Sequence, residues 1–358
     1  MRKDEFQSFL KCTSEATYAR IYEYFNNQRH ISEEHLAIIS RRYFIKPGKA
    51  LRPALLTLCA LLCGGNEENV RSAAAAVEMF HTWTLMHDDI IDHDEKRRGI
   101  YTAHVFASKI GKMNLALGKD DATAFGEALA MLGGDMLHGF ALDMLMHTKT
   151  KPGLLIDIAS EMDGTLNPEL LSGEQLDIRL SYTPWEKVTT GMIMEMMRLK
   201  TGALLSFCAK AGAALGNEKP IRKNSEAQRL GEFAVCCGLA FQLQDDVLGI
   251  FGDEKEFGKP IGSDIREGKR TLIMLDALHT LPPEDKGKML RLLGNKELSQ
   301  QDLQFAADSV RKCGALARCQ AMANSFVKDA QEILGQFPPS RHRELLRQWS
   351  DKMVGRAK

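Results

Sequence analysis

Apolar residues recur along this chain at intervals of three and four, the spacing of one helix face. The pattern predicts helices from about Asp4 to Asn26, Leu51 to Cys63, Glu67 to Asp92, and Ala122 to Met146. It predicts others over Lys151 to Leu180, Pro184 to Leu215, and Ser225 to Gly252. Shorter ones follow near Glu284 to Leu293, Ser299 to Lys312, Ala315 to Gly335 and Ser340 to Met353. Alternating β-branched stretches are almost absent, so the fold class is all-α. Gly64-Gly65-Asn66 and Pro282-Pro283 are breaks between helices. No Ser/Pro/Gly-rich linker and no repeat of fixed period divides the chain, which predicts a single domain over 1–358. The stretch from Ser108 to Thr123 has two glycines, mixed charge and weak periodicity, and reads as a surface excursion.

Two of these helices end in carboxylates. The first closes in HDDIIDHDEKRRG, where Asp88, Asp89 and Asp92 share a face and three cations follow at once. The second closes in FQLQDDVLGIFGD with Asp245 and Asp246, followed by GKPIGSDIREGKR with Lys259, Asp264, Lys269 and Arg270. An acidic helix end is usually a solvated terminus. Here, however, the carboxylates sit at C-terminal ends, where the helix dipole disfavours negative charge. Two such clusters, each trailed by cations, suit one kind of ligand: a diphosphate bridged by Mg²⁺, which takes oxygen ligands from one or two carboxylates together with phosphate and water. Lysine and arginine would neutralise the remaining phosphate oxygens.

Charge and composition narrow the picture further. The chain of 358 residues carries 47 basic and 47 acidic residues, so no net field recruits nucleic acid or an anionic membrane. Its eight cysteines form no CxxC pair and no zinc spacing. The N-terminal residues lack the apolar run of a signal peptide, and the longest uninterrupted apolar run, Ala54 to Cys63, is too short to span a bilayer. The expectation is a cytoplasmic protein with no integral membrane segment. Lys49 and Arg52 lie three apart at a helix start, where free N–H groups already favour an anion. His81 lies seven residues before Asp88, two helical turns, so it can look toward the same site.

The chain resembles the trans-isoprenyl diphosphate synthase (polyprenyl synthetase) family from about Ala37 onward. Four ordered motifs carry the likeness: PGKALRP (Pro47 to Pro53), AVEMFHTWTLMHDDIIDHDEKRRG (Ala76 to Gly99), LKTG (Leu199 to Gly202) and FQLQDDVLGIFGDEKEFGKPIGSDIREGKRT (Phe241 to Thr271). The resemblance implies a helical bundle around a deep central cavity, a homodimer, and aspartate motifs facing across the cavity mouth. It implies that Asp88, Asp89 and Asp92, with Asp245 and Asp246, bind Mg²⁺, three ions per active site, with Mn²⁺ as a substitute. Arg97, Lys200, Thr201, Gln242, Lys259 and Lys269 would hold an allylic diphosphate (dimethylallyl, geranyl or farnesyl). Lys49, Arg52, His81 and Arg98 would hold isopentenyl diphosphate. Asp88, Asp92, Lys200 and Asp245 would be the catalytic set of a head-to-tail prenyl transfer.

Two departures stand out. Gly249 occupies the place where many members carry a third aspartate, and Glu174, beside Asp177, stands where glutamine is common. Product length is read from Trp83, five residues before Asp88, and from Phe80. A bulky residue at Trp83 without an insertion in the motif resembles the shorter-chain enzymes, and Thr84 beside it is small. The expected product is geranylgeranyl diphosphate, with farnesyl diphosphate next. A class I terpene cyclase shares the first motif but needs no isopentenyl diphosphate site. A non-catalytic subunit of a heteromeric synthase should have lost metal ligands, and both aspartate pairs are intact.

Overall fold

The computed structural model describes residues 3–28, 34–252 and 262–354. Lys259, expected at the allylic diphosphate, lies outside them. The helices are α1 (Lys3–Asn27), α2 (Glu34–Ser40), α3 (Leu51–Leu62), α4 (Glu67–Ile91), α5 (Ala103–Leu115), α6 (Lys119–Met146), α7 (Pro152–Glu161), α8 (Asn167–Tyr182), α9 (Thr190–Met197) and α10 (Ala203–Asn217). They continue as α11 (Ser225–Phe251), α12 (Ser263–Glu267), α13 (Leu272–Thr280), α14 (Pro283–Leu292), α15 (Gln300–Lys312), α16 (Ala315–Gly335) and α17 (Arg341–Val354). Among the described residues, β-structure is confined to two short strands, β1 (Lys96–Arg97) and β2 (Ile100–Tyr101). The all-α expectation holds.

The chain divides into two compact units, Met1–Ala159 with Lys210–Asn224, and Ser160–Ala209 with Ser225–Lys358. In the first, α4 packs on α1, α3 and α6, and α5 packs on α6. Its core includes Phe44, Leu55, Leu56, Leu58, Met79, Phe80, Met86 and Leu137, all essentially without exposure. In the second, α11 packs on α16 and α17, with Phe233 against Trp349 and a run of Leu, Ile and Met from α13 beneath.

Local signals explain where helices start. Asn66 caps α4 by accepting the Asn69 N–H at 3.0 Å, and Glu67 and Glu68 in the first turn complement the dipole. Ser299 and Asp302 form a reciprocal capping box on α15. The stretch 108–123, which periodicity left without an element, is the end of α5, a turn, and the start of α6. Of its two glycines, Gly118 stands in open space before α6, but Gly111 is a close-packing point, as is Gly126 beyond it: a Cβ on Gly126 would lie 2.3 Å from the His104 carbonyl oxygen, and one on Gly111 2.8 Å from the Phe125 ring. Two helices, α6 and α11, are long and apolar enough to cross a bilayer by length and composition, and 67% of that window in α11 is buried within the protein.

Gly212 and Gly216, four apart on α10, let it touch α3 backbone to backbone. A Cβ on Gly212 would stand 2.2 Å from the Leu56 carbonyl oxygen. Alanine improves helix propensity by about 1 kcal/mol, but this contact is against backbone and cannot yield cheaply. Gly212→Ala should therefore destabilise the protein by about 1–3 kcal/mol in urea unfolding. Gly287→Ala, where the nearest atom is an arginine side chain at 3.9 Å, should instead stabilise it by about 0.5–1 kcal/mol. Equal effects at the two positions would contradict the close packing.

Candidate active site

The first acidic cluster is built on the last turn of α4. Asp92 caps the helix and is exposed, whereas Asp89 is fully buried. The Asp89 carboxylate accepts the Tyr43 hydroxyl on one oxygen and Arg97 Nε, at 2.7 Å, on the other. Arg97 also reaches Asp88 Oδ2 at 3.4 Å and Asp94 at 3.8 Å. Burial pushes the Asp89 carboxyl above its ordinary range, with Arg97 and Tyr43 pulling the other way. Both Asp89 oxygens are thus engaged by protein groups, while Asp88 and Asp92 stand at its edge.

Arg97 comes from a hairpin that sequence reading did not foresee. β1 and β2 pair antiparallel, Arg97 opposite Ile100, around the two-residue turn Arg98-Gly99. Both turn residues have positive φ, 53° and 76°, the geometry that suits tight hairpins. At the hairpin's tip, Arg98 Nη1 donates to the Lys46 carbonyl at 3.2 Å, and its guanidinium covers Gly48, whose added Cβ would lie 2.6 Å from Nη2.

Arg52, in the first turn of α3, donates from Nη1 to His81 Nε2 at 3.0 Å. Because guanidinium only donates, that imidazole carries its proton on Nδ1. Burial and the charges of Arg52, Arg98 and Arg97 hold the His81 pKa well below its ordinary value, so the ring is neutral at neutral pH. The first unit thus holds Arg97 against Asp88 and Asp89, Arg52 against His81, and Arg98 against the 46–50 turn. Lys49 is exposed in the turn before α3. Trp83 and Phe80 face α6: the indole lies 4.9 Å from the Phe80 ring and 4.7 Å from the His138 ring, and Phe80 is completely buried.

The second unit assembles around a π-helical turn, Arg198–Gly202, between α9 and α10. Such turns insert one residue into a helix and are frequent at functional sites. Gly173 on α8 and Gly238 on α11 let both helices approach this turn, since Cβ atoms there would lie 2.4 Å from Lys200 N and 3.1 Å from Gly202 Cα. Lys200 Nζ rests between Asp177 at 2.7 Å and Glu174 at 2.9 Å. The Thr201 hydroxyl donates to Gln242 Oε1 at 3.1 Å, and Gln242 Nε2 donates to Asp246 Oδ1 at 3.1 Å.

Asp264 is the residue that sequence reading undervalued. Its carboxylate occupies the space over Gly249, where an added Cβ would be 2.3 Å from Oδ2. A carboxylate from α12 thus stands beside the position where many family members carry the third aspartate. Burial, then the charges of Asp264 and Asp245, push Asp246 up to about 8, against the pull of Gln242 and Lys269. Among the described residues, no three His, Cys, Asp or Glu side chains form a ready metal cage. The donor set still fits Mg²⁺, which keeps waters and substrate oxygens and needs only one or two carboxylates at a time. Within the first unit Asp88 and Asp92, and within the second Asp245, Asp246 and Asp264, are carboxylate oxygen donors of the kind it takes.

The Asp246 shift has a measurable consequence without metal. Between the unfolded carboxyl value near 4 and the folded value of about 8, the folded protein holds a proton that the unfolded chain lacks. Stability should fall as pH rises through that window. Asp246→Asn removes the titration, so its stability relative to the parent should grow from about pH 4 to pH 8, by as much as about 5 kcal/mol. Urea unfolding in EDTA across this range measures it; a difference independent of pH would show that the carboxyl is not raised.

Comparisons with known proteins identify the family. Residues 33–310 match the family model described as polyprenyl synthetase. The geranylgeranyl diphosphate synthase of Saccharolobus solfataricus is 36% identical, covering 83% of this chain and 82% of its own. The geranylfarnesyl diphosphate synthase of Aeropyrum pernix is 33% identical, covering 92% and 96%. Among solved structures, the geranylgeranyl pyrophosphate synthase of Corynebacterium glutamicum complexed with isoprenyl diphosphate and magnesium superposes with a TM-score of 0.87 at 27% identity, covering 96% of this chain and 98% of that one. With its motifs, its all-helical fold and its sequence relatives in agreement, this chain belongs to the polyprenyl synthetase family of prenyltransferases.

Proposed function

We propose that this prenyltransferase condenses isopentenyl diphosphate with an allylic diphosphate, head to tail and with Mg²⁺, to give mainly geranylgeranyl diphosphate. One observation carries the reading. The hairpin 96–101 sends Arg97 to the acidic end of α4 and Arg98 to the 46–50 turn, so one unit holds a carboxylate pair and a separate cationic group. Two differently charged sites suit two diphosphates. A cyclase, which ionises one, has no use for the second.

In this reading Asp88 and Asp92, not the buried Asp89, face the metal, and Asp89 seats Arg97. Asp245, Asp246 and Asp264 supply metal ligands in the second unit. Bound Mg²⁺ would supply neutralisation of the diphosphate and stabilisation of the leaving group; how many ions bind, and whether Mn²⁺ serves, follows the family expectation of three and yes. Arg97, Lys200, Gln242 and Lys269 bind the allylic diphosphate and stabilise charge as its C–O bond breaks. Lys49, Arg52, His81 and Arg98 hold isopentenyl diphosphate so that its double bond attacks the allylic cation, an advantage of orientation. The Thr201 hydroxyl oxygen and the turn carbonyls lend negative dipole to that cation. The departing diphosphate takes the proton, which accounts for the lack of an obvious protein base. The active species is a homodimer.

Asp88→Ala or Asp92→Ala should lower turnover at least about a hundredfold, since each removes charge stabilisation at the leaving group. Turnover near the parent's in these variants, or in excess EDTA, would overturn the mechanism. Product analysis with labelled isopentenyl diphosphate and each allylic starter also separates the rivals. Cyclic hydrocarbon from a long allylic diphosphate alone would favour a cyclase, and activity only with an added partner would favour a subunit.

Trp83 is the proposed floor for the growing chain, which runs along α4 toward its N-terminus. Its ring is 6% exposed and braced by His138, so truncation opens space on the order of a prenyl unit. Trp83→Ala should shift the product to about twenty-five carbons or more and cost about 3–5 kcal/mol of stability. An unchanged product from a folded variant would put the floor elsewhere.

A further inference from the structure

We infer that the N-terminal helix shapes the isopentenyl diphosphate site: Tyr18 of α1, anchored by Glu78 of α4, holds the 46–50 turn in the form that presents Lys49 and Arg52. Tyr18 and Glu78 are then positioning residues. The inference rests on the reading that this turn binds isopentenyl diphosphate. Tyr18 lies outside the span that matches the family model, which begins at residue 33.

The bonds run in series. The Gly48 N–H donates to Tyr18 Oη at 2.7 Å, and the Tyr18 hydroxyl donates to Glu78 Oε1 at 2.7 Å. Tyr18 is 4% and Glu78 3% exposed, so neither bond is easily exchanged for water. Burial and the adjacent Glu78 keep the phenol protonated and therefore able to donate. The same face of α1 makes two further ties. Tyr22 donates to the Phe44 carbonyl at 2.7 Å, and Arg41 Nη2 donates to the Phe25 carbonyl at 2.8 Å. Positions 18, 22 and 25 are one helical stripe, and it templates the segment 41–48.

The turn needs such support. Ala50, which ends it and starts α3, has φ +46°, a conformation that a residue with a Cβ keeps only when its surroundings over-determine it. Arg98 clasps the turn from the hairpin side through the Lys46 carbonyl. Tyr18 clasps it from the helix side. Glu78 lies three residues before His81 on α4, so the acid that anchors Tyr18 and the imidazole that holds Arg52 are neighbours. One helix thereby sets the register of the turn and of the arginine that follows it.

Tyr18→Phe keeps the ring contacts and deletes the hydroxyl. Hydrogen exchange should speed up in the peptide containing residues 46–50. The KM for isopentenyl diphosphate should rise about tenfold, with kcat and the allylic KM within about twofold, a split that general destabilisation would not produce. Glu78→Gln, whose amide oxygen still accepts from Tyr18, should be milder than Glu78→Ala. Arg52→Ala, assayed alongside, tests the underlying reading. If Arg52→Ala raises the isopentenyl diphosphate KM while Tyr18→Phe changes neither exchange nor that KM, the clamp is wrong. An equal rise of both KM values in Tyr18→Phe also overturns it. If Arg52→Ala leaves the isopentenyl diphosphate KM unchanged, the assignment of the turn fails instead.

Discussion

The seat of Asp89 is the interaction on which the first unit's site depends. A carboxylate there is fully buried at the C-terminal end of α4, where the dipole, burial and the neighbouring Asp88 all oppose its charge. Arg97 and Tyr43 offset that cost together. Tyr43 in turn accepts the Ala103 N–H at 3.1 Å, which ties the start of α5 to the same point. Breaking a buried pair of this kind by removing one partner typically costs about 3–5 kcal/mol, because the other charge is stranded. With Arg97 locked inward at the end of β1, ahead of the two-residue turn, Arg98 has its place decided, over Gly48 and against Lys46. A single buried carboxylate therefore organises the helix end, the hairpin and the turn ahead of α3.

The second unit meets the same problem differently. Asp246 is nearly as buried, but its neighbours Asp245 and Asp264 are acids, and no arginine is placed on it among the contacts described. Burial and the adjacent acids raise the Asp246 pKa, so its carboxyl releases its proton at higher pH than an ordinary one, where Asp89 is paired with a cation. The two solutions differ in what they leave available. Around Asp89 the counter-charge is the Arg97 guanidinium in direct contact, whereas Asp246 has an amide contact from Gln242 and the pull of Lys269, which burial and the adjacent acids outweigh.

Much of this was legible in the sequence, for identifiable reasons. Long amphipathic runs located most helices, and the two acid-then-cation segments are local features that survive without three-dimensional knowledge. What escaped notice depended on distant partners or on short elements. Tyr18 and Glu78 are sixty residues apart, and Tyr43 meets Asp89 across forty-six, with no local pattern to pair them. Strands of two residues are too short to show alternation. A π-helical turn adds one residue, which a tolerant helical periodicity absorbs, so Arg198–Gly202 read as plain helix. Gly249 looked like a lost carboxylate, and only folding shows Asp264 filling the space it leaves. Gly111 helped the stretch 108–123 read as an excursion because close packing and flexibility use the same residue.

The electrostatic difference between the sites suits the two chemical fates proposed for the substrates. Arg52 contacts a neutral His81 and Arg98 stands over the 46–50 turn, a cationic group already arranged for an anion. In the proposed reaction isopentenyl diphosphate keeps its diphosphate throughout, so a fixed site made of side chains would serve it. Lys200, by contrast, is shared between Glu174 and Asp177, and Asp245, Asp246 and Asp264 stand close to one another. A diphosphate gains little from such a site until divalent metal outweighs the acids. That is the better arrangement for a diphosphate that must leave: its charge increases as the bond breaks, and stabilisation supplied with the metal acts where that increase occurs. In the proposed reaction, holding the leaving group through metal and the attacking partner through fixed side chains would divide the work along chemical lines.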